Sequence, residues 1–119
     1  MEGDPIKSFV SFKIPAGKEV KVTIPDGEEF TLTSISLFPD NSTPKSGKIL
    51  VSAIPVSDDN KKETSIAIAP LIIGKSETAS VYLEFNCYQP IIFSTKGAKA
   101  TVLLSGTTET TTPLQIDVL

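Results

Sequence analysis

The side chains best equipped for chemistry in this chain are carboxylates. Asp26, Glu28 and Glu29 place three acidic groups within four residues, and Asp58-Asp59 forms a second pair. Paired carboxylates can share acid and base work in hydrolysis. Both groups, however, lie among turn-forming residues, Pro25 and Gly27 in the first case and the polar stretch Ser57 to Lys62 in the second, where solvated surface charge is the ordinary state. Serine and threonine hydroxyls abound, but a hydroxyl nucleophile needs a base, and the chain has no His. Lys45-Ser46 and Lys75-Ser76 both read as turn residues rather than as a Ser-Lys pair. Cys87, the only cysteine, excludes an internal disulfide and a thiolate zinc site. It reads as a small apolar residue near a strand end and suits a reducing compartment. The seven glycines are scattered at turns and form no phosphate-binding loop. No enzyme activity, cofactor or metal is expected.

The elements holding these residues belong to one domain, residues 1–119, with a core of about 8–107 and a Thr-rich segment, 108–119, that is an extension or an extra strand. The chain lacks Arg and carries a net charge of −3. It therefore has neither the planar fork suited to phosphate and guanine nor long-range attraction to a polyanion, so direct nucleic-acid binding is not expected. The charge leans toward basic partners. No apolar run approaches the roughly 20 residues of a membrane-spanning helix, and the acidic start Met1 to Pro5 does not resemble an export signal.

Almost everywhere the apolar residues recur with period two, in short segments rich in β-branched side chains and bounded by Gly, Pro, Asn and Asp. Val10, Phe12 and Ile14 begin the series, and Val20, Val22 and Ile24 follow the Pro15-Ala16-Gly17 turn. Phe30 and Leu32 share one parity while Ile35 and Leu37 share the other, which predicts a β-bulge near Thr33-Ser34. Pro39 to Lys48 reads as a loop. Pro70 marks the fifth strand as an edge or a bulge. Eight strands, or nine if Leu114 to Leu119 adds one, predict an all-β jelly-roll sandwich. Several strands also carry apolar residues on both faces: Ile49 beside Leu50, Ile91 beside Ile92, and Leu103 beside Val102. A domain this small cannot hide both faces within one core, so these positions are expected at an interface between copies.

Three stretches resemble the nucleoplasmin family, chiefly the nucleoplasmin-like domains of nucleolar immunophilin-type prolyl isomerases and plant-type histone deacetylase-like proteins. Ile14-Pro15-Ala16-Gly17-Lys18 before Val20-Lys21-Val22 is similar to the family's opening turn. Gly27 to Leu37 is similar to its acidic loop and following strand, with Thr31 where relatives commonly have His. Ile66 to Lys75, Ser80 to Phe85, Gln89 to Gly97 and Ala100 to Gly106 follow the family's order of an apolar strand with a Gly-Lys turn, a strand ending in Phe, a Lys-Gly close and a last strand ending on Gly. The resemblance runs from about Phe12 to Thr107.

It implies an eight-stranded jelly roll closing into a ring of five, with stacking into ten in some members, and binding of core histones in the nucleus or nucleolus. It matches Asp26, Glu28 and Glu29 to the family's histone-binding acidic loop; Asp58 and Asp59, which no family motif matches, are expected as a secondary acidic loop. Two departures stand out: the segment after Gly106 carries only Glu109 as charge up to Thr112, and Pro39 to Lys48 lacks the acidic motif of nucleoplasmins proper. The chain is thus a core without acidic tails or chiefly an oligomerisation domain. Any isomerase or deacetylase activity would lie outside it. The rival reading is a monomeric or trimeric jelly roll of capsid-like or carbohydrate-binding type, which the lack of Trp disfavours.

Overall fold

The computed structural model describes residues 8–59, 61–109 and 113–119, and the alternating segments become nine strands among them. In chain order these are β1 (Ser8–Ile14), β2 (Val20–Thr23), β3 (Glu29–Leu37), β4 (Lys48–Pro55), β5 (Ile66–Ile72), β6 (Thr78–Asn86), β7 (Ile91–Gly97), β8 (Val102–Thr108) and β9 (Gln115–Val118). They form two antiparallel sheets, β1-β8-β3-β6 and β5-β4-β7-β2-β9. Without β9 this strand order is that of an eight-stranded jelly roll. β9 lies along β2 at the sheet edge, Val118 opposite Val20 and Gln115 opposite Thr23, so the segment from Leu114 onward contains a strand.

Period-two patterning sends one face of each sheet into a shared core. β6 shows it along its full length: Ala79, Val81, Leu83 and Phe85 pack on the core while Thr78, Ser80, Tyr82 and Glu84 point out. The centre is a closed quartet of rings. Phe12, Phe30 and Phe85 come from one sheet and Phe93 from the other, each ring touching two others at centroid distances between 5.6 and 6.2 Å. The change of parity in β3 is a bulge, because its register against both β6 and β8 shifts between Leu32 and Ser34. Pro70 sits on edge strand β5, where the pairing with β4 also slips a residue, between Val51 and Ser52.

The turn Pro15–Lys18 and the turn Pro25–Glu28 are built alike. In each, the fourth residue's N–H bonds the proline carbonyl, and the third is a glycine with φ near +75° (Gly17) or +78° (Gly27). The β3–β4 loop is organised by Asp40, whose carboxylate accepts hydrogen bonds from the Ser42 N–H at 2.8 Å and the Ser42 hydroxyl at 2.7 Å. These bonds, the Ser42 hydroxyl first, hold the Asp40 carboxyl below its ordinary value. A folded-state depression means the contribution is present above the unfolded pKa and is lost as pH falls through the lowered one. NMR titration of the Asp40 carboxyl should therefore show a midpoint below that of free aspartate, with the loop's amide shifts changing over the same acid range.

Candidate functional site

The acidic loop sits where β2 hands the chain to β3, carried by the Pro25–Glu28 turn. Asp26 and Glu29 are exposed. Glu28 is not: it is only 8% exposed, and neither carboxyl oxygen has a hydrogen-bond partner among the described residues. The expectation of three solvated carboxylates is corrected at this position. Strand alternation explains the inward turn, because Glu28 shares the parity of Phe30, which is fully buried, whereas Glu29 shares that of exposed Asn86 across the ladder. The Gly27 N–H points at Cys87 Sγ, 3.3 Å away, tying the loop to the β6–β7 turn.

The pairing of β3 with β6 enlarges the acidic surface beyond the loop. Glu84 lies opposite Thr31, on the outward face shared with Glu29 and Tyr82. A hydrogen bond from Tyr82 to Glu84, then the charges of Glu84 and Glu29, push the tyrosine hydroxyl's pKa up. Sequence reasoning missed Glu84 and Tyr82. Their outward parity was visible, but nothing in the sequence said that β6 would lie beside β3.

The second loop is built differently. Asp58 and Asp59 are exposed, but Asp59 accepts a hydrogen bond from the Ser57 hydroxyl and stands 3.6 Å from Lys61 Nζ. The Ser57 bond leads in holding its carboxyl below the ordinary value. With Lys61 and Lys62 adjoining two aspartates, this segment has little net acidity. The β6–β7 turn stands between the two loops, since Val56 N–H bonds Pro90 O and the Gln89 amide bonds Glu63. Both loops thus occupy one end of the sandwich.

The five apolar positions expected at an interface divide. Ile49 and Ile91 face the core between the sheets and are buried there. Ile92, on the opposite face of β7, joins Ile54 and Val56 in a second small buried cluster. A hairpin closed by the Val56–Lys62 bridge follows, and Lys62 Nζ reaches Glu19, 3.0 Å away, just before β2. Since β7 lies between β4 and β2, that reach crosses the outside of β7. The part of the outer face around Ile92 is therefore covered within the chain, while Ile49 and Ile91 are buried in the core, so none of the three is free surface in the single copy, a correction to their expected place at an interface. Leu50 stays 39% exposed and Leu103 half-buried, on the outer faces of different sheets.

Two shallow hollows, of about 430 and 370 Å³, flank Phe9, which is 94% exposed on β1. The first is lined by Ser11, Thr33 and Ser105, the second by Thr108, Leu114 and Ile116, and no titratable side chain lines either. Among the described residues no group of three or more Cys, Asp and Glu is placed to hold a metal ion.

Comparison with known proteins agrees with this architecture. No curated protein sequence gives a significant match. Among solved structures, the Drosophila NLP core, described in connection with pentamer formation and histone binding, superposes with a TM-score of 0.67 at 18% identity, covering 84% of this chain and 96% of the other. The nucleoplasmin-like N-terminal domain of Drosophila FKBP39 gives a TM-score of 0.60 at 14% identity, covering 95% of this chain and 98% of the other. The sequence model of the nucleoplasmin-like domain matches residues 9–109, from the exposed Phe9 of β1 to just past the end of β8. With β9 lying outside that match, the first eight strands carry the relationship, and by them the chain belongs to the nucleoplasmin-like domain family.

Proposed function

We propose that this domain is a ring-forming, histone-binding core of a nuclear protein, five copies closing around an axis so that their acidic loops form a repeated rim. The observation that carries the reading is the acidic surface of Asp26, Glu29 and Glu84 on adjoining elements of a nucleoplasmin-like sandwich. The likeness to the Drosophila NLP core, whose description couples pentamers with histone binding, supports it. Exposed apolar side chains supply surface for a neighbouring copy to cover: Leu50 and the partly exposed Leu103, together with Phe9 and Ile66, which is 55% exposed. The mechanism is electrostatic shielding: the rim covers basic histone surface and keeps it from aggregating with nucleic acid. One exposed ion pair contributes only about 0 to 1 kcal/mol, so the effect depends on repetition around the ring.

Light-scattering mass in solution is the first test, with a fivefold or tenfold multiple of the 12.7 kDa chain expected. A stable, cooperative monomer at micromolar concentration would remove the basis of the proposal. In the same material the double variant Asp26→Asn/Glu29→Gln should bind core histones about tenfold more weakly or worse, with a shallower salt dependence. The ring mass should not change. Unaltered affinity would show that histones use another surface.

A further inference from the structure

Glu28 is a carboxyl group in an unexpected place. It is more than nine-tenths buried, neither oxygen is hydrogen-bonded among the described residues, and Asp26 within the same turn and Glu29 just after it are exposed acidic residues. Buried polar groups are almost always satisfied, so an orphan calls for a specific cause. Positions where a folded chain breaks such a local rule tend to be functional.

The missing partner has to be a hydrogen-bond donor, and the surroundings indicate which kind. Asp26 and Glu29 create a negative potential at the surface of the turn, which draws cations to it. A lysine ammonium brings three donors and a positive charge. Few bonds hold the turn in the shape that buries Glu28: one backbone bond closes it, Glu28 N–H to Pro25 O at 3.1 Å, the Gly27 N–H contacts Cys87 Sγ at 3.3 Å, and nothing lies within 4 Å of where a side chain on Gly27 would point, while Glu29 just beyond it is anchored opposite Asn86 in the β3–β6 ladder.

Resting on the reading that this loop binds a basic partner, we infer that Glu28 is a reserve ligand: it waits inside the turn and emerges to pair with a lysine side chain once Asp26 and Glu29 have attracted the partner. Because the waiting state leaves a carboxyl group buried and unpaired, bringing it out relieves a penalty that the other two carboxylates never carry. This gives Glu28 a signature that Asp26 and Glu29 lack, in that removing it should stabilise the free protein while weakening binding.

The test uses the purified domain with a decalysine peptide as probe. Glu28→Leu should raise the melting temperature by about 4 °C or more and weaken peptide binding about fivefold or more; Glu28→Gln should weaken binding similarly, as a control that retains the shape. In the unmodified chain, peptide should speed hydrogen exchange at the Glu28 amide as the turn opens. The inference is overturned if both Glu28 variants lower the melting temperature, if they leave peptide affinity unchanged while Asp26→Asn/Glu29→Gln reduces it, or if the Glu28 amide stays equally protected with peptide bound. A loss of oligomer mass in Glu28→Leu would also overturn it, by placing the carboxyl's partner on a second copy. If the double variant leaves affinity unchanged as well, it is the underlying reading of the loop that fails.

Discussion

Gly106→Ala is expected to leave little or no folded protein. β8 is a central strand, with Gly106 opposite Val10 of β1 on one side and Leu32 of β3 on the other. A Cβ there would lie 1.9 Å from the Thr31 carbonyl oxygen, 2.9 Å from its carbon and 2.8 Å from the Phe30 ring. Two of those atoms are backbone inside a sheet, and the third belongs to the ring quartet, so none can withdraw without breaking the β3–β8 ladder or the core. The requirement is one of space, because the backbone of Gly106 is not in the left-handed region. We expect a loss above about 4 kcal/mol, close to the whole stability of a small domain, which is about 5–15 kcal/mol. Soluble yield and a urea melt followed by circular dichroism would check it. Gly27→Ala gives the contrast: it has φ +78° and open space around it, so the cost is conformational only, about 1–2 kcal/mol.

Phe93→Ala should be the most damaging truncation of the ring quartet. Phe93 is 1% exposed and is the quartet's one member from the β5-β4-β7-β2-β9 sheet. It touches Phe12 at 5.7 Å and, edge-on, Phe85 at 5.6 Å. Removing it breaks both ring contacts that join the two sheets and leaves a cavity beside the Phe12 and Phe85 rings. The expected cost is about 3–5 kcal/mol. Part of that is the geometric preference of the ring pairs, about 0.5–1.5 kcal/mol each. Urea denaturation should show a lower midpoint at unchanged slope, and Phe93→Leu should recover part of the loss. A loss below 1 kcal/mol would mean that the sheets are held together elsewhere.

Strands were the most legible part of this chain, because a half-buried sheet forces a period of two and Gly- and Pro-rich turns interrupt it. Even the bulge in β3 could be located from the parity change at Thr33-Ser34. Alternation says which residues share a face but not which strands are neighbours. Glu84 and Tyr82 therefore joined the acidic surface only once β6 lay beside β3. Doubled apolar positions were the least legible: Ile91-Ile92 predicts a second covered face, yet a pattern of residues cannot say whether another copy or the chain's own hairpin supplies the cover. Glu28 was misread for a related reason. Among turn residues a carboxylate is ordinarily solvated, but the parity of the strand just begun at Glu29 had already turned this one inward.

The pairing of β1 with β8 has a consequence for the newborn polypeptide. Within this domain Ser8 to Ile14 are made before any other described strand, yet their partner, Val102 to Thr108, is the eighth of the nine. Until then the first strand has an unoccupied edge carrying Phe9, Val10 and Phe12, the kind of surface on which nascent chains stick to one another. Closure of this sandwich is thus a late and slow event, limited by loop entropy across most of the chain.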